Sequence, residues 1–105
     1  MEEIKRIIKE EVEGRGLKII RMLLFGSRAK GSNRPDSDWD ILVVIDKKMK
    51  FTEKWEIIDA IKIRLARLGI PNHIILKSEE EVEESKDNKG NITYYALREE
   101  IEIWR

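Results

Sequence analysis

Five consecutive apolar residues, Ile41, Leu42, Val43, Val44 and Ile45, restrict this chain more than any other feature. Most are β-branched, which favours extended backbone, and a strand with no polar position must be covered on both faces. Such a strand belongs inside a layered domain, with other elements packed above and below it.

The flanking sequence supplies those layers. Ile4, Ile7, Ile8 and Val12 recur at helical spacing between charges, so the first dozen residues read as an amphipathic helix that Gly14 and Gly16 stop. Residues 17–25 are apolar and strand-like, interrupted by Lys18 and Arg21. Residues 26–37, rich in Gly, Ser, Asn, Pro and charge, read as a loop with room for a helical turn. From 52 to 68 the spacing predicts a helix with Thr52 as N-cap and a core stripe of Trp55, Ile58, Ile61, Leu65 and Leu68. Gly69 and Pro71 end it, and 74–76 form a third short strand. Ser78 followed by Glu81 has the form of a capping box opening a short acidic helix. A polar turn at 86–91, a last helix at 92–100 and a short edge strand at 101–104 complete the reading. No repeat or low-complexity segment breaks it. The expectation is a single domain over residues 1–105, α/β (α+β) in class, with a small mixed sheet and helices on one or both faces.

Composition narrows the function. The 105 residues carry 21 basic and 21 acidic side chains, and that balance gives no electrostatic case for general binding to nucleic acid or anionic membrane. Charged residues make up 40%, which, with few amides and no cysteine, suggests a heat-adapted source. Without cysteine there is neither a disulfide framework nor a thiolate metal site. No apolar run approaches the roughly 18 to 20 residues of a membrane span, and charge begins at Glu2, unlike a secretory signal. These features lead to the expectation of a soluble, cytoplasmic protein.

The chemistry is concentrated in 24–44. A Gly26-Ser27 turn directly follows an apolar strand, and eleven residues after Ser27 comes Asp38, with Asp40 opening the next strand. Residues two apart on a strand share a side, so the two carboxylates converge. Adjacent carboxylates raise each other's pKa unless a cation neutralises them. Mg²⁺ suits the pair, since it takes oxygen ligands and leaves positions for phosphate oxygens. Glycine admits a ligand close to the backbone, and exposed N–H groups beside it favour an anion. Ser27 adds a hydroxyl. Taken singly, a Gly-Ser turn is usually only a turn, and aspartates at a strand start are usually solvated or capping. Turn, spacing and buried strand together fit one geometry.

This segment resembles the minimal nucleotidyltransferase family, a branch of the polymerase-β-like superfamily. The family pattern is Gly-Ser, often followed by Arg-Ala-x-Gly, then Ser-Asp-x-Asp and an apolar residue. Here it stands as Gly26-Ser27-Arg28-Ala29-Lys30-Gly31 and Ser37-Asp38-Trp39-Asp40-Ile41. A looser likeness includes Gly69-Ile70-Pro71 and the stretch around Arg98. The resemblance implies the polymerase-β-like nucleotidyltransferase fold and two-metal nucleotidyl transfer. Asp38 and Asp40 then ligate Mg²⁺, with Mn²⁺ as the alternative ion, and Gly26 and Ser27 bind the β- and γ-phosphates of ATP. Arg28 is either a bidentate clamp on phosphate or a surface arginine paired with Asp36. Lys30 and Arg34 read as solvated, and Trp39 as packing rather than base stacking.

The sequence departs from the pattern at one position. A third carboxylate usually follows the Gly-Ile-Pro-like stretch, and here His73 stands in its place. In the family that acid shares the metal and helps deprotonate the acceptor. Imidazole can accept a proton and bind metal, but it adds no negative charge and suits Mn²⁺ or Zn²⁺ better than Mg²⁺. The plain alternative for His73 is a strand histidine with a local hydrogen-bond partner. Asp46, Asp59 and the run 79–81 read as solvated acids. The resemblance thus implies transfer of AMP from ATP to a hydroxyl. A chain of 105 residues leaves little room for a second substrate pocket, so the expected acceptor is another protein. The family implies the tyrosine of a HEPN-type toxin for which this chain is the antitoxin. Balanced charge argues against a third reading, transfer onto a small molecule or an RNA 3′ end. The alternative is a catalytically weakened binding module that neutralises such a toxin by complex formation.

Overall fold

The computed structural model describes residues 1–85, 88, 90, 98 and 101–104. Along the chain run α1 (Glu2–Glu13), β1 (Ile19–Phe25), α2 (Gly26–Lys30), β2 (Trp39–Ile45), α3 (Phe51–Arg67), β3 (Asn72–Ser78), α4 (Glu79–Ser85) and β4 (Ile101–Glu102). Apart from Arg98, the expected helix at 92–100 lies outside the described residues, as does the turn at 86–91 apart from residues 88 and 90.

The strands form one mixed sheet in the order β3-β2-β1-β4. β1 pairs antiparallel with both β2 and β4, whereas β2 and β3 run parallel. A parallel pair needs a long crossover, and α3 supplies it. The run at 41–45 is the buried strand its composition demands. Ile41, Val43 and Ile45 point to one face, where they meet Ile4, Ile7, Ile8 and Val12 of α1 and Ile57, Ile58, Ile61 and Leu65 of α3. Leu42 and Val44 point to the other, with Leu23, Phe25 and Ile75, and Val82 of α4 leans on that cluster. The mixed α/β fold with flanking helices is therefore as the sequence reads.

Three local details differ from that reading. α3 begins at Phe51 with Lys50 before it and no side-chain cap, so Thr52 sits inside the first turn rather than capping it. Ile57 takes the core place assigned to Trp55, which is 46% exposed. The buried residues centre near Ile61, and Trp55 lies about 100° round the helix from that centre. Leu68 is 51% exposed because the helix ends one residue earlier.

The capping box is formed as written. The Glu81 N–H donates to Ser78 Oγ at 3.1 Å, and the Ser78 N–H donates to Glu81 Oε1 at 3.1 Å. Burial alone would raise the Glu81 pKa. The Ser78 N–H, the positive charges of Lys54 and Lys77, and the Ser78 hydroxyl outweigh it and hold the carboxyl below its usual value.

Candidate active site

The site forms where the end of β1 meets the starts of β2 and β3, on the face that carries Leu42 and Val44. Pairing sets its rows. Phe25 lies opposite Asp40 on the antiparallel side, and His73 lies beside Asp40 on the parallel side. The Trp39 N–H donates to the Pro71 carbonyl at 2.9 Å, which fixes the entry of β2 against the entry of β3. Neighbours in register share a face, so Phe25, Asp40 and His73 form one line across three strands.

Asp40 is the centre of that line. One carboxylate oxygen, Oδ1, is 3.3 Å from His73 Nδ1. The other, Oδ2, lies against Gly26, where an added Cβ would collide with it. Gly26 also has φ +72°, which side chains rarely adopt. Glycine is thus required twice over at this corner, by backbone conformation and by the carboxylate pressed to it. Burial raises the Asp40 pKa above its ordinary value; His73 opposes the shift and Asp38 adds to it. Asp38 itself precedes β2 and is exposed. The two acids are close enough for one charge to be felt at the other.

Gly26 opens α2, so it and Ser27 sit in a first helical turn, whose N–H groups lack partners within the helix. Arg28 has a different occupation from either expectation. Its Nε and Nη2 donate to the Ser37 carbonyl at 3.1 and 2.9 Å, and Nη2 also reaches the Pro35 carbonyl at 3.2 Å. The guanidinium stacks 4.2 Å from the centroid of Trp39. Asp36 is not its partner in these bonds. Arg28 ties α2 to the turn that delivers Asp38, and Trp39 packs against the core from beneath. The motif itself held the signal for this brace, an arginine directly after Gly-Ser and a tryptophan between the aspartates. Lys30 and Arg34 are exposed.

His73 has Asp40 as its local partner, a contact that fits both expectations for it. Its side chain is 45% exposed, and its ring meets Phe25 edge-on at 6.4 Å. Phe25, a wall of the site, was legible only as a strand residue. The substitute acids are elsewhere. Asp46, at the far end of β2, accepts the Lys18 N–H at 3.0 Å. Glu81 is engaged in the capping box, and Asp59 is exposed on α3.

Among the described residues no three His, Asp or Glu side chains stand together as a ready-made cage for an ion. Mg²⁺ asks for less, commonly one or two carboxylates with water and substrate phosphate completing its shell. The oxygen donors of Asp38 and Asp40, the raised Asp40 pKa and the glycine cradle beside Oδ2 fit that mode of binding.

The model of the family described as Polymerase beta, Nucleotidyltransferase matches residues 2–105. The chain belongs to the polymerase beta nucleotidyltransferase family. No curated protein matches this nucleotidyltransferase-type chain. Among solved structures, it is similar to a crystal structure of the toxin-antitoxin MntA-HpeT, in a mutant with two aspartates, two positions apart, exchanged for glutamate. The TM-score is 0.65 at 14% identity, over 98% of this chain and 71% of that one. That likeness establishes a shared fold, the one implied by the minimal nucleotidyltransferase resemblance. No helix of the described residues is long and apolar enough to cross a membrane.

Proposed function

We propose that this nucleotidyltransferase domain transfers AMP from ATP to a hydroxyl of a partner protein, in the manner of an antitoxin that modifies the tyrosine of a HEPN-type toxin. The observation that carries the reading is Asp40, held with one oxygen against the Gly26 corner and the other against His73. A carboxylate held against a side-chain-free turn brings an oxygen donor next to the backbone N–H groups that open α2, and an ion on the one and phosphate on the other suit a polyphosphate. The toxin-antitoxin system with the same fold, itself altered at paired aspartates, supports the choice of partner.

Each residue has a part. Asp38 and Asp40 would hold Mg²⁺, which when bound supplies positive charge to the phosphates. Gly26 and Ser27 bind the β- and γ-phosphates through N–H groups and the hydroxyl. With Nδ1 turned to Asp40, His73 has Nε2 left to accept the proton of the acceptor hydroxyl. The hydroxyl oxygen bonds to the α-phosphorus. The bond from that phosphorus to the oxygen bridging toward the β-phosphate breaks, and pyrophosphate leaves with the electron pair. Arg28 acts by position, keeping the Ser37-Asp38 turn in place through two backbone carbonyls.

A second reading keeps the fold and the partner but not the chemistry, because an imidazole, not a carboxylate, stands where the family usually has its third acid. Incubation with α-labelled ATP, Mg²⁺ or Mn²⁺ and a HEPN-type toxin separates the two. Label on the toxin that disappears in Asp38→Asn and Asp40→Asn supports transfer. A tight complex without label, indifferent to both substitutions, supports the binding module and overturns the enzyme.

A further inference from the structure

β3 ends the sheet, so its outer backbone edge has no strand beside it among the described residues. A groove of about 220 Å³ runs along that edge from His73 to Lys77, bounded on the helix side by Lys54, Trp55 and Ile58 of α3. Consecutive residues of β3 line it, although alternate ones face opposite sides of the sheet. It therefore exposes the strand's edge rather than one of its faces. Unpaired edges usually carry devices against strand addition, such as a bulge, a proline or an inward charge. The register of β3 with β2 is unbroken from Asn72 to Ser78 and no proline interrupts it, so Lys77 near its end is the one charged guard the strand itself carries.

The walls select an occupant. Trp55 is half-exposed beside the edge, with Phe51 packed edge-on to it at 6.2 Å and 76% exposed. Two lysines, Lys54 and Lys77, crowd the far end. Glu81 approaches Lys54 at 3.9 Å, one carboxylate against two ammonium groups. Burial, and then Lys77, hold the Lys54 pKa below its ordinary value against the pull of Glu81, so an added anion relieves the local excess of positive charge. At the other end the groove opens on His73, which the transfer reaction uses. Four steps of extended chain, roughly 13 Å at the usual rise, separate the two ends.

We infer that this groove binds an extended segment of the protein acceptor as an added β-strand, with an apolar side chain against Trp55, a carboxylate near Lys54 and Lys77, and a hydroxyl residue at His73. The inference rests on the reading that the acceptor is a protein, and it assigns the surface that presents the hydroxyl. Backbone pairing supplies affinity, and the apolar and charged contacts set direction and register.

The test uses the whole chain and a fluorescein-labelled hexapeptide that alternates valine with tyrosine and ends in two aspartates. Two control peptides replace the aspartates by lysine or the central valine by proline. Fluorescence anisotropy measures binding, and ¹⁵N amide shifts locate it. The expected result is shifts concentrated at 73–77, with affinity at least ten-fold lower for either control. Trp55→Glu and Lys77→Glu, each checked for an unchanged melting profile, are expected to weaken the parent peptide at least ten-fold while ATP uptake by calorimetry stays as in the wild type. No peptide binding with ATP uptake intact overturns the groove and leaves the transferase reading standing. Adenosine alone shifting 73–77 without peptide competition, or sedimentation showing two copies joined through these edges, also overturns it. Peptide binding without ATP uptake upholds a strand-docking groove and sinks the transferase reading instead.

Discussion

The two faces of the sheet are built to different ends. On one, α1 and α3 lie over Met22, Leu24, Ile41, Val43, Ile45, Ile74 and Leu76, and a continuous apolar layer results. On the other, among the described residues, Leu23, Phe25, Leu42, Val44 and Ile75 form a smaller buried cluster, against which Ile20 and Val82 of the short α4 pack. The line Phe25, Asp40, His73 lies on this second face, at the end away from α4. A charged carboxylate could not be kept inside the first layer without a partner for each oxygen. At its rim the second face keeps Asp40 partly in water, its side chain 21% exposed, with its pKa raised by burial. Stability and chemistry are thus divided between the sides of one strand, residue by alternate residue.

Substitutions can break that division. The largest effect is expected from Asp40→Asn, which should lower nucleotidyl transfer about a thousandfold while the melting temperature holds or rises by a few degrees, because a partly buried charge is removed. A variant that melts early would show that Asp40 supports the fold. Next comes the larger apolar layer: Ile61→Ala should cost about 3 kcal/mol in urea unfolding, against about 2 kcal/mol for Ile75→Ala in the smaller one. Equal losses would mean that the faces are not so differently packed. Gly26→Ala should cost about 1–2 kcal/mol for its positive φ alone, and its displaced Asp40 should also weaken ATP binding in calorimetry. Unaltered binding would remove the glycine corner from the site.

The smallest effect concerns pH. The folded Asp40 pKa is raised above 3.8, so the native state binds the proton more tightly than the unfolded chain. Its penalty is absent below the unfolded value, grows as pH rises through the folded one, and persists at neutrality. Wild type should therefore lose stability relative to Asp40→Asn as pH rises through and above 3.8, followed by denaturant titration at each pH. A flat difference would mean that Asp40 titrates alike in both states.

Much of this was legible in the chain because it depended on spacing. The run 41–45, the α1 stripe and the Ser78-Glu81 capping box each read correctly, since period and local hydrogen bonding decide them. The apolar stripe of α3 was misread at Trp55 and Leu68, because burial there depends on where the helix begins and stops. Arg28 illustrates a deeper limit. A guanidinium beside a phosphate-binding turn suits phosphate and backbone carbonyls alike, and only the fold of 32–37 shows that Pro35 and Ser37 take its donors. The link between His73 and Asp40 needed the parallel register of β2 and β3, a long-range fact that no local pattern carries.

β4 has a consequence for how this molecule is made. It hydrogen-bonds to β1 through Leu23 and Leu24, and Trp104 just beyond it rests against the core. On the ribosome, β1, β2 and β3 emerge well before that closing strand. Until it arrives the nascent sheet is unprotected at both margins, β3 on one side and β1 on the other, and an incomplete chain is the form most exposed to sticking to its neighbours.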